Sequence, residues 1–472
     1  MSTDTATARA MALPEILSEV FAILHGQEDF SSLASAARAN SLWFTCATDI
    51  LWSQVKGDAI TSIANIADSR RQLYASKVEG IKFDGNKRDM PTDLPDLCFN
   101  KIKSILFSVY WLPQGSAQLI KPYIQPSLES FVFYGEDFVD EILLQLQSTC
   151  HRLQVLLIDN TEMDFRRPKL TGETLFRLIS QTRTLRDLSL CCGGISDELF
   201  FCVSGLENLS ALSWCDDLTP ELLSRTVAQN PNHFLSLDSF SMPYALPSIS
   251  VSYIATMLPN ITKINLGFGD SEYDMLTQLS TIENLTELEC LFYCNASFSA
   301  PQILSLKALS KLTKLSIRFG CDFDRRDTTS PFGDAEFHEM ISALPGLQCL
   351  QMEFKCDLTA ASLLSLSACP KLDHFSMRRG LRCDLRSLLA QAGEEPLHPH
   401  LGTLYLARIS TDNTEHVGLK SSTTHYASIS ARDLACQIFK YFPKLEDFDV
   451  EDMNSHDGLV HNEFCNVIAQ YE

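Results

Sequence analysis

The residues best able to do chemistry in this chain are its sixteen cysteines and eleven histidines. Such residues hold zinc when they recur at short spacings, because four donors must converge on one tetrahedral ion. The chain contains no C-x-x-C. Its tightest clusters are Cys191–Cys192 and Cys290 with Cys294, and no histidine stands at ligand spacing from either. His398 and His400, in "EPLHPH", occupy a proline-rich turn without a carboxylate trio and are expected to face solvent. No metal and no cofactor are expected.

Nucleophilic chemistry finds no better footing. There is no G-x-S-x-G elbow, no P-loop and no H-E-x-x-H helix. A cysteine nucleophile could borrow a base from far away in sequence, but nothing local singles one out. No catalytic residue is assigned, and a non-enzymatic role is expected. The leader "MSTDTATARAMA" is polar, and no apolar run reaches the length of a membrane span. The cysteines are therefore expected as small buried thiols in a reducing compartment, cytoplasm and/or nucleus. A formal net charge of −21 disfavours nucleic acid and anionic membrane as partners and leaves a neutral or basic protein.

If the chain works by binding, its apolar surfaces matter most. "LPEILSEVFAILHGQEDFSSLASAARANSLWFTCATDILW", Leu13 to Trp52, reads as three helices. Leu13, Ile16, Leu17, Val20, Phe21 and Leu24 form one stripe of a 3.6-residue period. Pro14 and Glu15 suit a first helical turn, and Gly26 is expected to turn the backbone at its end. Asp29 would cap the second helix, carrying Phe30 and Leu33. A third would carry Leu42, Trp43, Ile50, Leu51 and Trp52. Three helices this short bury little of their surface alone, so the segment is expected either to pack as a cap on the rest of the chain or to complete its core against another polypeptide.

The series "LPEILSEVFAIL", "DFSSLASAARANSLWF" and "ATDILW" resembles the F-box, in the form common in fungal proteins. Ala36-Ala37 departs from the bulkier pairs usual before the basic residue, here Arg38. The resemblance implies docking on a Skp adaptor, and through it on the cullin and RING subunits of an SCF-type ubiquitin ligase. It places adaptor contacts at Leu13, Pro14, Ile16, Leu17, Val20, Phe21, Leu24, Leu33, Trp43, Leu51 and Trp52, with Glu15 holding the start of the first helix. The expected division is a disordered leader over 1–11, the F-box over 12–56, a single linker helix over 57–77 and a repeat domain over 78–472. In the linker, Ile60, Ile63, Leu73 and Tyr74 are expected inward.

In the repeat domain the pattern L-x-x-L-x-L returns fourteen times, beginning at Val78, Ile102, Leu128, Leu153, Leu185, Leu209, Leu237, Ile261, Leu285, Leu312, Leu347, Leu372, Leu401 and Leu445. Most intervals are 24–27 residues, the period of leucine-rich repeats. The fourth and sixth positions alternate with polar neighbours, a strand's period of two, and apolar spacings of three and four fill the stretches between. One strand–helix unit cannot cover its own apolar face, whereas stacked units share a core. The fold class is therefore α/β: three helices, then a curved solenoid with parallel strands inside and helices outside. It resembles the leucine-rich-repeat domains of F-box proteins.

The asparagine usual at the ninth repeat position is mostly absent; Thr161 and Gly193 stand there, and Cys192, Cys215, Cys294 and Cys356 lie near it. The turn hydrogen bonding is therefore in question. Loop insertions are expected near 320–334 and 409–430. The strands' outward positions give a candidate target surface. Ser130, Val132, Tyr134, Val155 and Leu157 come early, followed by Lys263, Glu287, Glu289, Lys314, Arg318, Glu353 and Arg378, then Asp447, Asp449 and Glu451. Of these, Tyr134, Val155, Leu157, Glu287, Glu289, Lys314, Arg318 and Arg378 are the candidate substrate-binding residues. The expected function is that of a substrate receptor holding an unidentified target protein for ubiquitination. The alternative is an interaction scaffold that uses the same docking module without ubiquitin transfer.

Overall fold

The computed structural model describes residues 11–84, 97–109, 116–135, 138–159, 171–193, 195–230, 233–320, 330–384, 388, 396–410 and 431–450. Its contacts fall into two compact units: Met1–Asp216 with Phe234–Ser236, and Asp217–His233 with Leu237–Glu472.

The first unit opens with three helices, α1 (Pro14–Gly26), α2 (Phe30–Ala36) and α3 (Ser41–Ser53). Their core is Leu17, Phe21, Leu33, Ala36, Cys46 and Ala47. Asp29 caps α2, accepting the Ser32 amide at 3.0 Å, and Asn40 caps α3, accepting from Trp43 at 2.9 Å. Gly26 is still helical; the left-handed residue in the turn is Glu28, at φ 58°. Met11 belongs to this module rather than to a disordered leader, since its carbonyl accepts the Trp43 indole N–H at 3.3 Å. Residues 1–10 lie outside the described residues.

The expected boundary at 56 and the single linker helix are both corrected. α3 runs directly into strand β1 (Gln54–Lys56), which pairs in parallel with β2 (Gly80–Asp84). The stretch between them holds two helices, α4 (Gly57–Ala64) and α5 (Asp68–Ala75). Ala67 leaves the helical region at ψ 134°, and Asp68 opens α5, where a carboxylate meets the positive end of the peptide dipoles. The supposed linker is thus the outer half of a first, unsuspected repeat. Ile60 and Ile63 are fully buried as expected, but Leu73 is exposed.

The unit continues through β3 (Ser104–Val109), β4 (Ser130–Gly135), β5 (Val155–Asp159), β6 (Asp187–Cys191) and β7 (Ala211–Trp214), each parallel to its predecessor. The second unit holds β8 (Ser239–Leu246), β9 (Lys263–Phe268), β10 (Glu287–Phe292) and β11 (Lys314–Phe319). A short parallel pair, β12 (Ser330–Gly333) with β14 (Cys356–Asp357), stands apart from the main ladder. The ladder proceeds through β13 (Cys349–Met352), β15 (His374–Asp384), β16 (Thr403–Ser410) and β17 (Asp447–Val450). In the expected loop over 320–334, β12 and the helix from Asp334 show that 330–334 is not plain loop, and 321–329 lie outside the described residues. In the other expected insertion, residues 409–410 end β16, and 411–430 lie outside the described residues.

Every L-x-x-L-x-L segment yields a strand starting at its third residue, and its first and fourth residues are buried. Successive side chains alternate across a strand, so the fourth and sixth positions share the inner face while the third and fifth take the other. Helices such as Gly172–Gln181 and Asp334–Ser342 bury apolar residues against that inner face, Leu175, Leu178 and Ile179 in one and Phe337, Met340 and Ile341 in the other. Parallel strands joined through helices with a shared core in each unit make this a leucine-rich-repeat type of α/β fold. Backbone amides at each strand's start reach the carbonyl of the previous repeat, as Thr286 and Glu287 do to Thr262 at 2.7 and 3.1 Å. Threonines reinforce this step, the Thr286 and Thr313 hydroxyls donating to Thr262 and Thr286 at 3.1 and 3.0 Å. At the ninth position, glycine meets φ +67° at Gly193, and Tyr293 donates its hydroxyl to the Pro243 carbonyl at 2.7 Å. Backbone, hydroxyl and tyrosine thus make the inter-repeat links that the missing asparagines left in question.

Candidate interaction sites

The apolar arc of α1 is wider than its neighbours cover. Leu17 and Phe21 face the module's core with 0% and 2% exposure, and Leu33 joins them from α2 at 0%. Leu13, Ile16 and Ile23 turn away, with 49%, 38% and 59% of their surface open to solvent. At about 100° per residue the second set falls on an arc adjacent to the first, with Val20 within it and Leu24 between the two. Phe30, at the start of α2, is exposed beside them in sequence order, and its ring meets His25 edge-on at 5.5 Å. The single stripe read from sequence therefore divides: Leu17, Phe21 and Leu33 serve internal packing, while Leu13, Pro14, Glu15 and Ile16 are exposed. Val20, Leu24, Trp43, Leu51 and Trp52 are half-buried. Ile23 and Phe30 were missed as surface groups; the signal for Ile23 was its seven-residue offset from Ile16.

The module is fixed to the repeats of its own unit. The Lys77 ammonium, 7% exposed, lies 2.5 Å from the Asp49 carboxylate of α3, and Trp52 lies against Tyr74 with ring centroids 4.9 Å apart. Glu79 donates its amide to the Ser53 carbonyl at 2.9 Å, where α3 gives way to β1.

On the first unit's sheet, register brings the predicted apolar residues together on the face opposite the helices, joined by Leu106, which was not among the predicted residues. Leu106, Val132 and Leu157 stand side by side across β3, β4 and β5. Tyr134 flanks this row on β4, exposed at 40%, and Val155 flanks it on β5. Asp159 adjoins Tyr134 in register, and Asp187 adjoins Val155. Desolvation raises the Asp187 carboxyl above its usual range. One Asp159 oxygen is buried without a hydrogen-bond partner.

The second unit's outward charges behave differently. Lys263 pairs with Glu287 at 2.7 Å, and Glu289 pairs with Lys314 at 2.5 Å and Arg318 at 3.4 Å. The hydrogen bond to Glu289 holds the Lys314 ammonium above its usual range. Glu353 accepts from Gln351 at 2.6 Å. Much of the mixed charge expected to read a target is thus engaged within the chain. Arg378 lies in β15, but its side chain falls outside the described residues, as does Glu451.

Two expectations about single residues are corrected. His398 is buried at 2% exposure, not solvent-facing; its Nε2 bonds the Cys369 carbonyl at 2.8 Å, while Nδ1 has no partner. Burial holds its basicity below the usual histidine range. His400 is exposed. Cys191 and Cys215, which end β6 and follow β7, are joined as a disulfide rather than standing as thiols. Cys150, Cys192, Cys290 and Cys356 are buried thiols whose pKa burial pushes up to about 12. Among the described residues no group of three or more His, Cys, Asp or Glu is placed to hold a metal, and no helix is long and apolar enough to cross a membrane.

No protein-family model matches the chain, and no curated protein matches it. Among solved structures it is similar to an internalin from Listeria monocytogenes, at 11% identity and a TM-score of 0.38, over 76% of this chain and 95% of that one. The fold assignment rests on the strand order and register of the chain itself. What the strand order and register establish is a leucine-rich-repeat type of fold.

Proposed function

We propose that this chain is the substrate-recognition subunit of an SCF-type ubiquitin ligase. Its amino-terminal helices would dock on a Skp adaptor, and its repeats would hold a target protein in the cytoplasm and/or nucleus. The observation that supports this reading is the second apolar arc of α1. Leu13, Ile16 and Ile23 remain exposed although the module already has a closed core of its own. With roughly half of its surface still open, each such side chain gains on the order of 1 kcal/mol when a partner covers it. The receptor's contribution to rate is proximity, turning a bimolecular encounter into an intramolecular one.

The interface is redistributed relative to the motif. Leu13, Pro14, Ile16 and Ile23 make direct contact, joined by Val20 and Phe30. Leu17, Phe21 and Leu33 hold the helices in place behind them. Capture of a purified Skp adaptor by the full chain tests this. Leu13→Asp with Ile16→Asp should abolish capture while the melting temperature stays unchanged. Undiminished capture would remove the interface. Cullin and RING subunits in the captured assembly, with ubiquitin transferred to a bound target, separate the ligase reading from a scaffold that docks without transfer.

A further inference from the structure

The open face of β3–β6 carries an apolar row bordered by two acidic groups, Asp159 and Asp187, that form no ion pair among the described residues. Leu106, Val132 and Leu157 form the row, with Tyr134 and Val155 on either side of it. Asp159 and Asp187 stand at opposite ends of the adjoining strands, four residues apart in strand position, or about 13 Å at a strand's rise. Among the described residues, Lys82 pairs with Asp84 at 3.2 Å, Lys103 with Glu79 at 2.8 Å and Arg152 with Glu129 at 3.1 Å. Asp187 lies exposed on the surface and one Asp159 oxygen has no hydrogen-bond partner, so both carboxylates gain from an incoming cation.

We infer that this face binds a protein segment in which a short apolar run is flanked by lysine or arginine. The apolar side chains cover Leu106, Val132, Leu157 and the Tyr134 ring, and the basic groups reach Asp159 and Asp187. The apolar row supplies affinity through burial, whereas the two carboxylates select for charge and reject acidic flanks. The assignment deepens the target-binding reading and locates it in the first unit. The second unit's outward charges, largely paired with one another, would contribute less selection.

The test is selection of a random peptide library on the full-length chain, followed by affinity measurement of the enriched peptides. Enriched peptides should combine an apolar run with lysine or arginine. Their affinity should fall by about tenfold or more with Leu157→Ser, and with Asp159→Asn combined with Asp187→Asn, the latter effect shrinking at high salt. Unchanged melting temperatures for both variants confirm that binding alone was altered. Enrichment without basic residues, affinity indifferent to the variants, or no enrichment at all overturns the inference. Self-association that Leu157→Ser abolishes would give the face to a second copy of the chain, which also overturns it. Leu13→Asp with Ile16→Asp should leave peptide binding intact, so loss of adaptor docking and loss of this site are read separately.

Discussion

Lys77 and Asp49 are 28 positions apart in sequence, yet their charged groups meet at 2.5 Å between α3 and the turn before β2. The lysine is nearly sealed from water while the aspartate is 46% exposed, so the pair is a half-buried one. It ties the helical module to the first strands of its unit.

Asp49→Ala leaves that ammonium buried with only the Thr45 carbonyl, 3.4 Å away. A loss of about 1–3 kcal/mol in local stability is expected, between the values for exposed and fully buried pairs. Hydrogen exchange across α3, β1 and β2 should accelerate, while exchange in the second unit stays unchanged. Unaltered protection in the first unit would show that β1 pairing alone fixes the joint.

Leu17→Ala empties part of the module's core, where Leu17 has no exposure. A cost of about 2–5 kcal/mol is expected, as for other large-to-small core changes. Exposed Ile23→Ala should cost well under 1 kcal/mol by comparison. Proteolysis of the amino-terminal helices distinguishes them: the first variant should be cut faster, the second at the wild-type rate.

His398 makes the second unit sensitive to acid. Its basicity is lowered in the folded chain, chiefly by burial, so the unfolded state takes up its proton at a higher pH than the folded state. Above the ordinary histidine pKa of about 6.5 the group is neutral in both states and contributes no pH dependence. As pH falls through that value the unfolded chain gains the proton first, and stability drops. Thermal melts between pH 8 and pH 5 should therefore fall more steeply for wild type than for His398→Gln. Parallel curves would show that the ring accepts a proton in place.

The cysteines should divide by burial. At pH 8 the native chain is expected to react with iodoacetamide at the exposed Cys98 and Cys436, and to protect Cys150, Cys192, Cys290 and Cys356. A thiol held near pKa 12 has almost no thiolate at that pH. Mass spectrometry before and after denaturation checks this, and modification of Cys290 in the native state would contradict its burial.

Glu289 accepts from two cations, and all three side chains keep some solvent contact. Glu289→Ala should therefore lower stability by no more than about 1 kcal/mol. Its larger effect is to free Lys314 and Arg318, which should let the second unit's sheet retain acidic peptides that the wild type does not. Pull-down with an acidic peptide, at low and high salt, measures it.

Much of this molecule was settled by local pattern. Alternation within each L-x-x-L-x-L segment places the first, fourth and sixth side chains in the core wherever the chain is extended. The strand starts, the parallel class and the three amino-terminal helices with their Asp29 and Asn40 caps depend only on such short-range rules. Tertiary packing decided what short-range rules leave degenerate. Leu13 and Leu17 look alike in sequence, but only the placement of α2 and α3 makes one exposed and the other sealed. Gln54–Lys56 is too short and polar to declare itself a strand until β2 lies beside it. Lys314 and Glu289 read as free charges until register sets them at 2.5 Å. His398 reads as a surface turn residue until the Cys369 carbonyl comes within 2.8 Å. Burial and charge pairing are properties of neighbours distant in the chain, so they emerge only when the repeats stack.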